Sequence, residues 1–390
     1  MKILLLGVGM QGKAARHDLV ASESVEQVIA ADKEFDMLRA HVDGLAYGSK
    51  VVCKPLDAND SNGLAKQFAS QPDVVIDLLP SSLNDTVARA AVAHGVHYVN
   101  ASYGTEGLAS LADEAKTKGL TLLPECGMDP GIDLVLLGHA VRSLDSVEEI
   151  TTYGAGFPEP AAATGPLKYK VTWTFEGVLK SYLRAGRVIR DGETVRIAAT
   201  DMFRPEQVHE LELEGLGRLE AFPNGDALEF ARQLGVDPAG LRNLGRYVLR
   251  WPGHCALWQT LVDLHLLDTE PVSVDGVEVD RKRFLAAAIE PYIQYAPGER
   301  DVVVVRIDVS GSKDGKKRRI LLEIIDWRDL ETGHTAMCRT VGYTASIGAQ
   351  LITSGQITKR GLLAAVNDIP YEPFARELQQ RGIQITSWQS

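Results

Sequence analysis

The stretch Lys2-Ile3-Leu4-Leu5-Leu6-Gly7-Val8-Gly9-Met10-Gln11-Gly12 decides the fold. An apolar strand-like run ends in Gly-x-Gly-x-x-Gly, and a helical pattern from Lys13 to Val20 follows at once. Each glycine has its own reason. Gly7 permits a tight turn, Gly9 lets a pyrophosphate approach the backbone, and Gly12 lets the helix pack close to the strand. The phosphates then meet free N–H groups at a helix N-terminus. Gly7, Gly9, Met10, Gln11 and Gly12 are therefore expected to hold a dinucleotide. Asp32 closes the next apolar run, Val28-Ile29-Ala30-Ala31. An acid there binds the ribose 2′-hydroxyl and repels a 2′-phosphate, so the expected cofactor is NAD. The neighbouring Lys33 keeps NADP possible.

Outward from this stretch, strand and helix patterns alternate to about residue 128. Apolar runs at 50–53, 73–79, 97–100 and 121–124 follow the first two, with helical patterns at 11–20, 61–69, 84–94 and 105–118. Repeated β-α units predict an α/β Rossmann domain with a doubly wound parallel sheet. Ligands bind such sheets beyond the carboxyl ends of the strands. Asp57, the Leu79-Pro80 turn and Ser102-Tyr103 should thus share the crevice with the glycine loop.

After Asp129-Pro130-Gly131 the texture changes. Strand-like stretches rich in Val, Thr, Tyr and Trp are expected at 147–155, 168–175, 301–309 and 319–327, with helices at 225–234, 256–267 and 281–290. Gly311-Ser312-Lys313-Asp314-Gly315 predicts a hairpin between the last two strands. The expected organisation is a dinucleotide domain at 1–129, an α+β substrate and dimerisation domain with a mixed sheet at 130–335, and helices at 336–390 packing back on the first domain.

Composition excludes other classes. Of 390 residues, 45% are apolar and 24% charged, as in a globular protein, and no run is long enough to span a bilayer. No signal peptide is visible. A net charge of −11 argues against nucleic acid or an anionic membrane as partner. The four cysteines form no CxxC, so reduced thiols in a cytoplasm are expected, not a zinc site. No metal site is expected. Homodimerisation through the long apolar strands of the second domain is.

Further local sequences, in order, are Asn100-Ala101-Ser102-Tyr103, Pro124-Glu125-Cys126-Gly127-Met128-Asp129-Pro130-Gly131-Ile132-Asp133, Gly165-Pro166-Leu167-Lys168-Tyr169-Lys170-Val171-Thr172-Trp173, Arg187-Val188-Ile189-Arg190-Asp191-Gly192, Leu249-Arg250-Trp251-Pro252-Gly253-His254 and Arg339-Thr340-Val341-Gly342. With the glycine loop they resemble the saccharopine reductase and L-lysine 6-dehydrogenase family over nearly the whole chain. Length and the Arg-Val-Ile-Arg-Asp-Gly segment look more like the lysine 6-dehydrogenases. Glu176 stands where saccharopine reductases carry an arginine, and Gly165 where they carry an asparagine. On that ground the resemblance implies oxidative deamination of the terminal amine of L-lysine, with ammonia released. A reductase that forms or cleaves a secondary amine, of the saccharopine or carboxynorspermidine type, is the alternative.

Such chemistry needs a base for the amine, an acid for the distal ammonium and a cation for the carboxylate. Tyr103 should reach the nicotinamide end. Glu125 and Asp129 sit in the turn after the sixth strand, placed for an ammonium or a proton; Asp129 and Asp133 would equally suit caps of the helix beginning near Pro130. Lys170, on an expected strand, Arg184 and Arg250 are the candidate cations. His254, after Pro-Gly and near Arg250, is expected to transfer the proton.

Overall fold

The computed structural model describes residues 1–43 and 50–390. The chain divides into two compact units, one of residues 1–139 and 338–384, the other of 140–337 and 385–390.

The first unit begins β1 (Lys2–Leu6), α1 (Met10–Ala21), β2 (Gln27–Asp32), α2 (Phe35–Asp43), β3 (Val51–Pro55), α3 (Ser61–Phe68), β4 (Val74–Asp77), α4 (Asn84–His94), β5 (His97–Asn100), α5 (Glu106–Ser110), α6 (Ala112–Thr117), β6 (Thr121–Leu123) and α7 (Ile132–Arg142). Ile3, Leu4, Leu5 and Leu6 are fully buried. A continuous apolar run suits a central parallel strand covered on both faces, and each such side chain contributes roughly 1.5–3 kcal/mol. β1 pairs in parallel with β2 on one side and β4 on the other. The strand order reverses at that point, and the crevice beyond it is where such sheets bind ligands.

The second unit contains β7 (Ser146–Pro158), α8 (Phe175–Ser181), β8 (Gly186–Arg190), β9 (Glu193–Ile197), β10 (His209–Leu213), β11 (Gly217–Pro223), α9 (Ala227–Gln233), β12 (Asn243–Arg250), α10 (His254–Asp263), β13 (Val272–Val274), β14 (Val277–Val279), α11 (Arg281–Ile289), β15 (Asp301–Lys313) and β16 (Lys316–Trp327). The expected hairpin is present and longer than its sequence signal, with Lys313 opposite Lys316. Asp314 and Gly315 both take positive φ at the turn (50° and 70°), as a two-residue connection between twisted strands requires.

The chain then passes through α12 (Ala336–Thr353), β17 (Gly361–Leu362), α13 (Ala365–Asp368), α14 (Tyr371–Gln380) and β18 (Thr386–Gln389). β17 adds a parallel seventh strand to the first sheet, whose order is β17-β6-β5-β4-β1-β2-β3. Gly342 explains how α12 reaches α1: a Cβ there would stand 2.5 Å from the Gln11 carbonyl oxygen and 2.7 Å from the Ala15 nitrogen. Asp18 of α1 then ties down the returning segment, accepting from Ser346 Oγ (2.6 Å) and Arg381 Nε (2.6 Å). β18 instead pairs with β16, completing a nine-stranded mixed sheet in the second unit.

Three expectations are corrected. The units divide near residue 139 rather than 129, and the last residues belong to the second unit, not the first. Residues 168–175 form no strand: Lys168 has φ 46°. Thr174 caps α8 by accepting from the Gly177 amide (3.3 Å). The alternation of Tyr169, Val171 and Phe175 serves a core shared with Val178 and Trp258 instead of a sheet face. Among the described residues no helix is long and apolar enough to cross a membrane.

Candidate active site

In the first unit the glycine loop has the geometry its sequence requires. Gly7 has φ 81°, and a Cβ there would lie 2.8 Å from the Leu78 carbonyl oxygen. A Cβ on Gly12 would lie 2.0 Å from the Gly7 oxygen, so α1 can start here only without one. Gly9 is exposed, and a Cβ there would meet nothing within 4 Å. It is the N-cap of α1 and offers no side-chain cap, so the first amides of the helix stay available to an anion. Asp32 is fixed from two sides: Oδ2 accepts from the Val8 amide at 2.7 Å and Oδ1 from the Glu34 amide at 3.0 Å. These residues fit a dinucleotide, with phosphates on the loop and a ribose on Asp32.

The other expected crevice residues lie at the carboxyl ends of the neighbouring strands. Asp57 is exposed; the Asn59 amide and side chain, both donating to its Oδ1 at 2.9 Å, hold its carboxyl below the usual range. Leu79 and Pro80 follow β4, and the Leu79 amide donates to Asp77 (3.1 Å). Ser102 follows β5, its amide donating to Asn100 Oδ1 (3.1 Å). Met10 is 47% exposed at the loop's tip.

Sequence reading missed a buried network beneath these loops. Tyr98 donates to Asp77 Oδ2 (2.9 Å) and accepts from Asn100 Nδ2 (2.8 Å). Burial pushes the Asp77 carboxyl up to about 7, against the opposing hydrogen bonds from Leu79 and Tyr98.

The turn after β6 collects acids. Tyr103, 37% exposed, donates to Asp129 Oδ1 at 3.5 Å. Glu125 is buried with φ 59°, its amide donating to the Ser102 carbonyl (2.9 Å). Asp133 takes the capping role, accepting from the Gly131 amide (2.8 Å). Burial pushes its carboxyl up to about 7, and the Glu125 charge adds to the rise. Tyr103, Glu125 and Asp129 thus share one turn region of the first unit.

The second unit holds a buried cation. Arg250, last residue of β12, is 5% exposed. Its Nη1 donates to the Leu249 carbonyl (2.8 Å), and its Cζ lies 5.0 Å from the Tyr169 ring centroid. No carboxylate within 4 Å pairs with it among the described residues. The acid opposite it across the strands, Glu220, gives both oxygens to α10, accepting from the Gly253 amide (2.7 Å) and the Cys255 amide (2.9 Å). Arg250 Nε, Tyr169 OH, Thr172 Oγ1 and Tyr295 OH are all buried without a hydrogen-bond partner. A buried guanidinium with no carboxylate partner among the described residues has the chemistry to accept a carboxylate.

The remaining expected residues are placed differently. Lys170 is neutralised by Glu299 (2.5 Å). Arg184 is exposed and lies over Gly225, its Cδ 3.0 Å from where a Cβ would stand. Glu176 is exposed and paired with Lys180 (3.0 Å) on the surface of α8, so its charge gives no argument about substrate. His254 is 2% exposed with both ring nitrogens engaged: Nε2 with Tyr182 OH (2.8 Å), Nδ1 with the Leu167 carbonyl (3.2 Å). Burial, then the Arg250 charge, drives its pKa well below the ordinary value. A ring held neutral with no free lone pair does not match the proton-transfer role expected from its sequence neighbours. Tyr182 and Tyr295 were missed in the sequence, where nothing local distinguishes them; Tyr169 stands out there only within the family resemblance.

One unit is a Rossmann domain with an intact dinucleotide loop, and the other is a mixed-sheet domain that buries an arginine with no carboxylate partner among the described residues. Family models carry this further. The Saccharopine dehydrogenase NADP binding domain matches residues 3–123, and the Saccharopine dehydrogenase C-terminal domain matches residues 127–383. The chain belongs to the saccharopine dehydrogenase family. It is 23% identical to the saccharopine dehydrogenase [NADP(+), L-glutamate-forming] of Pyricularia oryzae, covering 97% of this chain and 96% of that one. It is 21% identical to the carboxynorspermidine synthase of Vibrio cholerae, covering 98% and 96%. It is 26% identical to the alpha-aminoadipic semialdehyde synthase of Arabidopsis thaliana, covering 92% of this chain but 40% of that one. The chain thus spans less than half the length of such synthases. The fold is that of the apo L-Glu-forming saccharopine dehydrogenase of Saccharomyces cerevisiae, with a TM-score of 0.87 at 23% identity over 100% and 99% of the two chains.

Proposed function

We propose that this protein transfers hydride between a nicotinamide and the carbon of a secondary amine in an amino-acid substrate, in the manner of a saccharopine-type reductase. The observation that carries the reading is Arg250, a buried guanidinium with no carboxylate partner among the described residues, suited to an amino-acid carboxylate. The relatives' names support the secondary amine over the simple deamination of lysine. The residue that had argued for lysine, Glu176, is spent on a surface ion pair.

The dinucleotide, when bound, supplies the hydride acceptor or donor. The protein's own groups do the rest. An ammonium nitrogen has no lone pair to form an iminium, so the amine must lose its proton first. Within the first unit, Asp129, with Tyr103 hydrogen-bonded to it, is a group able to take such a proton, and Glu125 one able to pair with an ammonium. Within the second unit, Arg250 is a group able to pair with a carboxylate. Asp32, braced by two amides, cannot turn away from the ribose, so NAD is preferred although the saccharopine dehydrogenase relatives are named for NADP(+).

The test is nicotinamide absorbance with NAD or NADP against saccharopine, carboxynorspermidine, L-lysine and L-ornithine. Turnover of saccharopine or carboxynorspermidine with NAD supports the proposal. Turnover of L-lysine alone, with ammonia released stoichiometrically, overturns it in favour of the dehydrogenase reading.

A further inference from the structure

We propose that Tyr98 is a positioning residue. Through Asp77 and Asn100 it holds the loop beside the glycine turn and the loop behind the acid-bearing turn in one fixed relation, so that the dinucleotide and the amine-handling groups are set together. The inference rests on the reading of this crevice as the dinucleotide site. Its basis is a chain of hydrogen bonds inside the first unit. Asp77 and Asn100 end β4 and β5 and stand opposite each other in the parallel register. Tyr98, two residues before Asn100, shares its face of the sheet. All three side chains are buried. The Ser102 amide can only donate, so Asn100 turns Oδ1 to it (3.1 Å) and Nδ2 to the Tyr98 oxygen (2.8 Å). Tyr98 then donates to Asp77 Oδ2 (2.9 Å), the Asn84 carbonyl being more distant at 3.4 Å. Asp77 Oδ1 receives the Leu79 amide (3.1 Å). Each link fixes the polarity of the next, and both ends are backbone amides of loops rather than of strands.

The two loops reach the groups that bind and react. A Cβ on Gly7 would stand 2.8 Å from the Leu78 carbonyl oxygen and 3.1 Å from the Leu79 nitrogen, so the loop after β4 lies directly on the dinucleotide turn. On the other side the Ser102 carbonyl accepts from the Glu125 amide (2.9 Å), and the Asn100 carbonyl from the Cys126 amide (2.8 Å). The end of β5 therefore carries the turn that holds Glu125 and leads to Asp129. Stability alone does not call for these polar groups. Apolar side chains of similar volume would fill the same place without desolvating a carboxyl. They could not receive two loop amides, and an amide left unmet in a buried site would turn toward water and take its loop with it.

The test compares Tyr98→Phe, Asn100→Leu and Asp77→Asn with the wild type in the full chain. Backbone hydrogen exchange is read over residues 78–83 and 101–104, with β1 as the control, and dinucleotide Kd by fluorescence titration with whichever of NADH and NADPH the wild type binds more tightly. Tyr98→Phe removes the oxygen at which the links meet. Exchange should quicken in both loops and Kd rise about 2- to 10-fold, the loss expected for one buried hydrogen bond. Asn100→Leu is the sharper case. Its side chain bonds Tyr98 and Ser102, so faster exchange at Leu79 with a raised Kd is an effect that packing around Asn100 would not produce. Asp77→Asn keeps an acceptor for the Leu79 amide and offers its own amide to the Tyr98 oxygen, and it should recover most of the wild-type Kd. Tyr98→Phe is the mildest change and keeps the test decisive if Asn100→Leu folds poorly. Exchange that quickens only in the loop next to each substitution would sink the relay, as would wild-type exchange and Kd in Tyr98→Phe. Exchange that quickens everywhere, β1 included, would reduce the three residues to a stabilising cluster. A wild type that binds neither dinucleotide would overturn the reading of the crevice, and the inference with it; the identity of the amine substrate does not enter.

Discussion

Replacing Arg250 by Met should damage function and leave the protein about as stable as before, and the two effects have separable origins. The guanidinium is 5% exposed and has no carboxylate partner among the described residues. Exchanging buried charge for an apolar side chain of similar volume is neutral to stabilising, by about 1–4 kcal/mol. Against this stand the Tyr169 ring, at 5.0 Å, and the bond to the Leu249 carbonyl. These together return about 1–3 kcal/mol. No carboxylate is stranded, because Glu220 keeps its two amides. The two ranges nearly cancel and leave a net stability change between about −2 and +3 kcal/mol, a Tm shift of a few degrees in either direction. The substrate carboxylate, by contrast, loses a desolvated partner worth about 3–5 kcal/mol, so KM should rise by roughly two to three and a half powers of ten. Thermal unfolding by circular dichroism and initial rates of nicotinamide absorbance measure the two. A Tm loss equivalent to about 4 kcal/mol or more, as breaking a buried ion pair gives, would show that the arginine has a structural counter-charge, and the receptor argument would fall. An unchanged KM would refute it equally.

Other expectations are narrower. Gly12→Val should abolish dinucleotide binding by calorimetry, because the first branching carbon already stands 2.0 Å from the Gly7 oxygen; wild-type affinity in that variant would refute the glycine-loop geometry. Asp32→Ala should narrow the preference between NADH and NADPH, read as the ratio of their fluorescence-titration Kd values, and an unaltered ratio would place the choice elsewhere. Asp77 is raised from an ordinary 3.8 to about 7, so its protonated form favours the fold. Relative to Asp77→Asn, the wild type should lose stability as pH rises from about 4 to 7, by up to roughly 4 kcal/mol; denaturant titrations giving a flat difference would contradict the buried carboxyl.

What the sequence made legible follows from how far each residue's environment lies along the chain. Gly7 and Gly12 were readable because their constraint is local: the turn and the helix start that need them are their own neighbours. Asp32 is tied to Val8, and that pairing is implicit in the β-α-β pattern, which sets the carboxyl ends of two adjacent parallel strands side by side. Residues 168–175 failed for the opposite reason. Alternating apolar residues predict a strand only if a neighbouring strand takes the backbone, and here Thr174 turns the chain into α8 while the apolar side chains enter a core with Trp258. His254 shows the same limit in chemistry. Its sequence neighbours, Pro-Gly and an arginine, suit a titrating imidazole. Its real partners are the Leu167 carbonyl and the Tyr182 hydroxyl, remote in sequence, and they consume both nitrogens. Arg250 was read as a cation from residue type alone. That it is unneutralised depends on Glu220 being committed to α10, a fact of sheet register and helix capping together. The residues with the most specific chemistry are therefore those whose surroundings are assembled last, from the most distant parts of the chain. In them a motif can nominate the atom, but burial and partners decide whether it moves a proton, holds an ion or orients a neighbour.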